Sequence, residues 1–573
     1  MTGLQEAFPL LDSFIERQMQ AANTPGVTVA VTDRERLLRV TTHGWADVAA
    51  QIPVTPDTLF EIGSITKSFT VIALMQLCEA GQVDLHVPVT HYLPWFQIPF
   101  GYPFDPSTGL PSATPSAPLR AGLGTGRAGG AQGRPSKCEP ITLHHLMSHT
   151  AGIIMGTEFT TEARYEVWAL RETQVSVPPG THFHYSNVGY KVLGLVLEER
   201  LGQSYGEIIQ EQILDPLGMT ATHPVITHET RKRLAVGYVS FYDDRPAHPS
   251  HPLIPATWLE TATADGSIAA TAADMATYLR MLMNRGRGLD GRILSEGSFR
   301  LMAQRVIEVP DEDGAYYGYG LDIGESEGHI TIGHGGGMVG YYSAVLADMD
   351  DGLGVVVLTN GPGEPSEMAR FALKLLHAAF HDQELPSPPV PDPTRIENAT
   401  DYAGTYRAGT RMFILVDEGE HLVMQYGDEH IALERRGPNG FYVPHSEFAL
   451  FLLRFGREEG QVVEALHGPD WYTNERYTGP TTFSYPPEWA AYPCHYRSHN
   501  PWFSNFRVVL RKGALVLISP RGDEQPMVPL GNGVFRMGKE DQSPERIRFD
   551  TLLDGQALRA NLSCCDYYRT FTP

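Results

Sequence analysis

Cysteine is scarce in this chain, and long apolar runs are absent. The five cysteines among 573 residues are odd in number and widely scattered, which fits reduced thiols better than a framework of disulfides. No run of eighteen apolar residues occurs, so no membrane-spanning helix is expected. The first eight residues contain neither a basic stretch nor an apolar core, and we predict no signal peptide. We therefore expect a cytoplasmic protein without a membrane partner.

Positive charge is also in short supply. The chain has 44 lysines and arginines against 67 aspartates and glutamates, a formal net charge of -23 at pH 7. Nucleic acids and anionic membranes bind basic surfaces, so neither is an expected partner. With 42% hydrophobic and 19% charged residues, the chain is long enough for several globular domains. The composition agrees with an enzyme that acts on a small molecule or a short peptide, and it leaves a homodimer open.

The most informative pattern is Ser64-Ile65-Thr66-Lys67, which stands just before an apolar run with helical periodicity. Residues three positions apart share one face of a helix, so the Lys67 ammonium can reach the Ser64 hydroxyl. A serine becomes nucleophilic when a nearby base takes its proton, and a lysine serves as that base when its pKa is lowered. The pattern therefore predicts a nucleophile. The alternative is a serine near a helix start with a solvated lysine.

A second motif, Tyr185-Ser186-Asn187, precedes another apolar helical pattern. The Tyr185 phenol can shuttle a proton, and the Asn187 amide can donate to a substrate or to Lys67. The alternative interpretation is an aromatic side chain packed at a helix start, with Asn187 as the cap.

The third motif is His334-Gly335-Gly336-Gly337, which ends one strand pattern just before another. Its glycines let a ligand come close to the backbone. A turn and a return strand follow, so we predict that the motif lies on a strand of an antiparallel hairpin.

In this order the three motifs resemble the serine β-lactamase and penicillin-binding-protein superfamily, specifically its class C-like branch. The resemblance covers roughly residues 8–380. It implies an α/β fold, in which a catalytic domain has an antiparallel sheet flanked by helices and an additional helical subdomain. Ser64 would lie at the junction of the two parts.

The resemblance also implies roles for the motif residues. Ser64 would attack a carbonyl carbon, and Lys67 and Tyr185 would share its proton as general base and later general acid. Asn187 and residues 334–337 would bind the substrate. The backbone N–H groups of Ser64 and Gly337 would hold the oxyanion. No cofactor and no metal is expected.

One position departs from the commonest pattern of the superfamily. Most members carry Lys-Thr-Gly on the third strand, where the lysine attracts the substrate carboxylate, whereas this chain has His334, which is mostly neutral at pH 7. The His-x-Gly variant resembles the branch of D-aminopeptidases, D-amino-acid amidases and some esterases. The favoured function is therefore that of a D-aminopeptidase or D-amino-acid amidase. A carboxylesterase or β-lactamase is the alternative within the family, and a catalytically silent binding scaffold is the alternative outside enzymes.

The C-terminal third contains an internal repeat. Tyr402-x-x-x-Tyr406 recurs as Tyr492-x-x-x-Tyr496, 90 positions later (492 minus 402), and turn signals separate short alternating strands after each copy. This pattern predicts two small antiparallel β-barrels. A catalytic domain followed by two barrels resembles D-aminopeptidase, in which the last barrel sends a loop towards the active site. The predicted domains are the catalytic domain at 1–385 with a flexible insert at 98–137, a proline-rich linker at 386–397, and barrels at 398–481 and 482–573.

A competing nucleophile, Ser204, lies in the sequence GQSYG, which matches the nucleophile elbow of α/β-hydrolases. An elbow should follow a strand, whereas Gly202 follows a helical pattern. We interpret Gly202 as a helix C-cap and Ser204 as the start of the next helix. His145 and His149 have helical spacing but lack the glutamate of a zinc peptidase, and we interpret them as structural.

Overall fold

The computed structural model describes residues 2–101, 140–156 and 162–570. Most of the predicted insert at 98–137 lies outside the described residues. By its internal contacts the chain divides into two compact units. The first unit comprises residues 1–239, 254–389 and 540–545, and the second comprises residues 240–253, 390–539 and 546–573.

The first thirteen strands of the described residues range from two to eleven residues in length. They are β1 Gly26–Asp33, β2 Leu37–Asp47, β3 Ile52–Pro53, β4 Phe60–Glu61, β5 Tyr238–Ser240, β6 Leu253–Pro255, β7 Ala269–Ala270, β8 Ile307–Glu308, β9 Tyr316–Tyr317, β10 Asp322–Ser326, β11 His329–Met338, β12 Tyr341–Asp348 and β13 Leu353–Thr359. Nine of them form an antiparallel sheet in the order β3-β2-β1-β13-β12-β11-β10-β9-β8. Because β11, β12 and β13 are consecutive, the predicted hairpin around the third motif is confirmed.

Twelve helices accompany these strands within the described residues. They are α1 Thr2–Ala22, α2 Thr66–Glu79, α3 Val89–Tyr92, α4 Leu143–Met147, α5 Ala163–Ala169, α6 Asn187–Leu201, α7 Tyr205–Ile209, α8 Asp215–Leu217, α9 His228–Arg231, α10 Ala272–Met283, α11 Glu296–Met302 and α12 Pro365–Phe380. None of the helices in the described parts of the chain is both long and apolar enough to cross a membrane.

The main sheet is covered on both faces, which explains the apolar sequence of β13. All seven residues of β13 are buried. Val355 and Val357 belong to a cluster with α1 and α12, in which the Phe14 and Phe371 rings lie 4.2 Å apart. Gly354, which directly precedes Val355, faces α10, since successive strand residues point to opposite faces. A strand buried on both faces needs a continuous apolar run rather than an alternating one.

Helix α2 is enclosed on all sides. Eleven of its fourteen residues are buried, and a helix that is apolar all round belongs in a core. Helix α6 ends at Gly202, whose φ of 67° is left-handed, and the Ser204 side chain caps α7 by accepting from the Glu207 N–H. Both interpretations of the GQSYG sequence are therefore confirmed, and Ser204 does not stand on a strand-to-helix elbow.

Up to residue 570, the second unit contains one short α-helix, α13 Ala399–Tyr402, and two large antiparallel sheets. Its strands are β14 Gly404–Ala408, β15 Arg411–Asp417, β16 Leu422–Tyr426, β17 Glu429–Ala432, β18 Glu434–Arg435, β19 Gly440–Tyr442, β20 Leu453–Glu458, β21 Gln461–His467, β22 Asp470–Thr473, β23 Cys494–Arg497, β24 Asn505–Arg511, β25 Ala514–Ile518, β26 Glu524–Gly531, β27 Val534–Met537, β28 Arg546–Leu553, β29 Gln556–Leu562 and β30 Cys565–Arg569. Strands β14–β22 form a nine-stranded sheet, and β23–β30 close into a barrel.

The internal repeat has a physical counterpart in the two sheets. Tyr406 Oη donates to the Tyr402 carbonyl at 2.8 Å, and Tyr496 Oη donates to the Tyr492 carbonyl at 2.8 Å. All four tyrosines are buried. The predicted fold, an α/β domain followed by two small antiparallel β-barrels, is confirmed, with β23–β30 forming a closed barrel and β14–β22 a nine-stranded antiparallel sheet. The boundaries at residues 385, 397 and 481 stay a prediction.

Candidate active site

Ser64 lies in a single 3₁₀ turn, Gly63–Ile65, that leads directly into α2. Gly63 has a φ of 53°, and a Cβ at that position would lie 2.6 Å from the Gly337 nitrogen. Only glycine combines that conformation with so close a neighbour. The turn thus brings Ser64, at the start of a buried helix, against the glycine-rich strand β11.

The Lys67 ammonium group is fully buried and has three oxygen neighbours. Its Nζ lies 2.9 Å from Ser64 Oγ, 2.7 Å from Asn187 Oδ1 and 2.9 Å from the Asp265 carbonyl oxygen. The serine and the lysine share one helical face, as their spacing predicts. Asn187 takes part as an acceptor, through its side-chain oxygen, rather than as a donor to Lys67.

Tyr185 and Asn187 reach the site from the start of α6. The helix cap is Ser186, whose Oγ accepts from the Gly189 N–H, so Asn187 is free of a capping role. Lys67 Nζ lies 5.0 Å from the centre of the Tyr185 ring, within cation–π range. Burial raises the pKa of Tyr185 well above its ordinary value, and hydrogen bonding with Ser64 opposes that rise. The phenol is therefore neutral at rest and able to donate.

His149 also lies in this region, although the sequence predicted only a structural role for it. Its Nδ1 accepts from the Ser186 N–H at 3.0 Å, and its ring lies 4.2 Å from the Tyr185 ring. Burial lowers the pKa of His149 well below its ordinary value, and the Lys67 charge lowers it further. A neutral imidazole thus packs behind Tyr185 and fixes the backbone next to it.

Strand β11 lies against the segment that precedes Ser64. A Cβ at Gly336 would lie 2.0 Å from the Ile62 carbonyl oxygen, to which Ser343 Oγ donates at 2.8 Å. A Cβ at Gly335 or Gly337 would meet nothing closer than 3.7 Å. The close approach of the two backbones therefore depends on one glycine of the three.

His334 is buried on β11, and its two nitrogens hydrogen-bond with Tyr317 and with the Gly335 carbonyl oxygen. Its Nε2 lies 3.0 Å from Tyr317 Oη, while the centre of its ring is 6.4 Å from that of Tyr185. Burial lowers the pKa of His334, which the Asp322 carboxylate opposes and the Lys67 charge reinforces. The imidazole is neutral at pH 7. Tyr317 carried no motif in the sequence and was missed.

A buried ion pair lies behind Lys67. Lys191, one helical turn after Asn187 on α6, places its Nζ 2.8 Å from Glu166 Oε1 and 3.8 Å from Asp265 Oδ2. Asp265 is also the residue whose carbonyl oxygen accepts from Lys67. The ion pair thus positions Asp265, which contacts the predicted base Lys67. No spacing in the sequence indicated this connection between distant segments.

Glu61 lies three residues before Ser64, on the strand pair β4–β7. It borders a cavity of about 110 Å³ that is also lined by Arg231, Trp258 and Tyr341. Burial raises the pKa of Glu61 to about 8, so the carboxyl group is largely protonated at neutral pH. A larger cavity of about 460 Å³ elsewhere in the first unit holds none of the predicted site residues.

Residues 540–545 belong to the first unit by their contacts. Glu545 Oε1 accepts from the Met155 N–H at 2.7 Å and lies 3.0 Å from His184 Nε2. His184 directly precedes Tyr185. A segment distant in sequence thus contacts the loop that carries the predicted proton shuttle.

The part of the chain that matches a known protein family includes every predicted site residue. The family described as Beta-lactamase matches residues 11–379. Penicillin-binding protein 4 of Amycolatopsis lactamdurans is 28% identical over 403 residues, which span 67% of this chain and 93% of that protein. Protein Rv1367c of Mycobacterium tuberculosis is 30% identical over 305 residues, 50% of this chain and 69% of that protein. The solved structure of an octameric penicillin-binding protein homologue from Pyrococcus abyssi is 27% identical, with a TM-score of 0.56, and the alignment covers 81% of this chain and 98% of that one.

Proposed function

Because the chain belongs to the Beta-lactamase family, we propose that it is a serine hydrolase that works through an acyl-enzyme on Ser64. The observation that carries the proposal is the 2.9 Å separation between Lys67 Nζ and Ser64 Oγ inside a buried site. A serine hydroxyl needs a base within hydrogen-bond reach to become a nucleophile. Lys67 is within that reach.

The partners of Lys67 support its role as the resting base. Asn187 Oδ1 and the Asp265 carbonyl oxygen can only accept hydrogen bonds, whereas the Ser64 hydroxyl can also donate. To act as the base, Lys67 must be neutral, with two N–H groups for Asn187 Oδ1 and the Asp265 carbonyl oxygen and its lone pair towards Ser64. Lys67 takes the Ser64 proton as the hydroxyl oxygen attacks the carbonyl carbon. The neutral Tyr185 phenol then donates to the leaving group and is reprotonated from Lys67.

The oxyanion of the tetrahedral intermediate would lie between two backbone N–H groups, those of Ser64 and Gly337. The near-contact between Gly63 and the Gly337 nitrogen supports this assignment. Preorganised N–H donors of this kind contribute about 2.7–4 kcal/mol each to transition-state stabilisation.

The substrate we propose is a small amide or peptide, with D-aminopeptidase or D-amino-acid amidase activity. A neutral His334 offers no fixed positive charge to a substrate carboxylate, which argues against carboxylate-bearing β-lactams. A carboxylesterase uses the same nucleophile and base, and only the leaving group differs. Self-association is a separate proposal, supported by the octameric state of the Pyrococcus abyssi homologue, and light scattering of the purified chain tests it.

A parallel assay tests the proposed reaction and substrate. The chain is incubated with D-alanyl and L-alanyl anilides, a short-chain nitrophenyl ester and a chromogenic cephalosporin. We expect turnover of the D-alanyl anilide above that of its L-enantiomer and of the cephalosporin, and loss of all turnover in Ser64→Ala. Turnover of the ester alone would reject the aminopeptidase assignment in favour of an esterase. Absence of any turnover would favour a binding scaffold.

A further inference from the structure

Three histidines and one aspartate meet at one end of the main sheet, outside the site described above. His329 opens β11, Asp351 lies in the turn between β12 and β13, and His377 and His381 lie at the end of α12. One ligand atom from each lies within 4.8 Å of the others. We propose that these four residues, the histidine–aspartate cluster, bind one zinc ion.

The separations between Asp351 and the three histidines are close to those of a tetrahedral site. Asp351 Oδ2 lies 2.9 Å from His377 Nδ1, 2.9 Å from His381 Nε2 and 3.6 Å from His329 Nδ1. Four ligands at the usual zinc distances of about 2.0–2.2 Å stand about 3.3–3.6 Å apart in a tetrahedron. The two separations of 2.9 Å are about half an ångström shorter than such an edge, and all four ligand atoms lie within 4.8 Å of one another.

The ligand chemistry selects the ion. Three imidazoles and one carboxylate suit zinc and its transition-metal neighbours, whereas magnesium and calcium prefer sites made of oxygen alone. His377 and His381 are four positions apart on one helix face, the spacing at which two imidazoles reach a common ion.

Asp348 supports the cluster from one side. Its Oδ1 accepts the N–H groups of Asp350 and Asp351 at 2.8 and 2.9 Å, which fixes the turn that carries the aspartate ligand. Its Oδ2 lies 2.9 Å from His329 Nδ1. This buried carboxylate adds negative charge next to the proposed ion, and binding of the ion would replace the proton between Asp348 Oδ2 and His329 Nδ1. A divalent cation would offset the charges of Asp348 and Asp351.

The ion would join three separate parts of the first unit. It would connect the C-terminal end of α12 to the start of β11 and to the β12–β13 turn, all of which belong to the main sheet and its covering helix. His334 lies five residues further along β11, so the ion is not a participant in the proposed acyl transfer. The expected role is structural, and binding should stabilise the folded chain.

Metal titration of the full chain tests the proposal. The protein is dialysed against a chelator and then titrated with Zn²⁺ by calorimetry, and with Co²⁺ by visible absorption. We expect one equivalent of Zn²⁺, a higher Tm, and a Co²⁺ spectrum typical of four or five ligands. His381→Ala should weaken Zn²⁺ binding at least about tenfold, and because His381 is exposed, the variant is expected to fold. His377→Ala should give the same result.

His228→Ala is the matched control, since His228 is an exposed histidine of the first unit outside the cluster. Its Zn²⁺ binding should equal that of the unmodified chain. Circular dichroism of each metal-free variant checks folding independently. Failure to bind one equivalent, or unchanged affinity in a folded His377→Ala, His381→Ala double variant, would show that the cluster is a hydrogen-bonded group without an ion. Neither result depends on hydrolase activity.

Discussion

The run of three glycines on β11 gives a sharp test of how the strand positions Ser64. In Gly336→Ala the new Cβ would lie 2.0 Å from the Ile62 carbonyl oxygen and 2.3 Å from Ser343 Oγ. Real Cβ atoms stay at least 3.0 Å from such neighbours. The two backbones must therefore separate by about 1 Å, the difference between 3.0 and 2.0 Å. Overpacking of this kind destabilises a fold by about 1–3 kcal/mol.

The same shift should affect the chemistry, since Ile62 is two residues from Ser64 and Gly336 precedes the proposed oxyanion donor. We expect a loss of about 10²-fold in kcat/KM, as misplacements of about 1 Å produce. Gly324→Ala, on the neighbouring strand β10 and outside the predicted site, is the matched control, because its Cβ would meet Thr331 Oγ1 at 3.4 Å, an ordinary contact. Urea unfolding and ester hydrolysis measure both effects. Equal behaviour of the two variants would refute the argument that Gly336 sets the distance between β11 and Ser64.

Three further sets of substitutions test other parts of the structure. Burial raises the pKa of Glu61 to about 8 from an ordinary 4.5, so its bound proton stabilises the folded state fully below pH 4.5, and that contribution is lost as the pH rises to 8. In the unmodified chain, the free energy of urea unfolding should therefore fall between pH 5 and 8 by up to about 1.4 kcal/mol per pH unit. Glu61→Gln should remove this fall, and an unchanged dependence of the unfolding free energy on pH would contradict the assignment. Lys191→Met removes the ammonium 2.8 Å from the buried Glu166 carboxylate and should lower the free energy of urea unfolding by about 3–5 kcal/mol. Adding Glu166→Gln should restore a part of that loss. Unchanged stability of Lys191→Met would show that the pair is not structural. Tyr406→Phe and Tyr496→Phe each remove the hydrogen bond to the carbonyl four residues earlier, and Tyr496→Phe also removes a longer one to the Ala557 carbonyl. Each should cost about 1 kcal/mol in thermal unfolding, and no loss in either variant would contradict a structural role for the repeat.

The local parts of the proposed site were predictable from the sequence. Ser64 and Lys67 are three positions apart on one helix, so their proximity follows from helical geometry alone. The hairpin around the glycine run was predictable because its turn residues and alternating strands are contiguous. The repeat of Tyr402 and Tyr406 was visible for the same reason, since each copy forms its hydrogen bond within four residues.

The parts that the sequence did not reveal depend on contacts between distant segments. Lys191 meets Glu166 across 25 positions, and Tyr317 meets His334 across 17. Neither pair belongs to one helix or one turn, so no periodicity links its members. We predicted that Asn187 donates a hydrogen bond, because the sequence does not show which way its side-chain amide points. In the structure the amide oxygen accepts from Lys67. The histidine–aspartate cluster spans residues 329–381 on three elements, and only the fold brings its members together.

Mapping the covalent adduct of a serine-directed phosphonate tests the central claim most directly. The intact chain is treated with the reagent and analysed by mass spectrometry before and after proteolysis. We predict a single adduct on the peptide that contains Ser64, unchanged in Ser204→Ala and absent in Ser64→Ala. An adduct on Ser204, or labelling that survives in a folded Ser64→Ala variant, would contradict the account of Ser64 as the nucleophile.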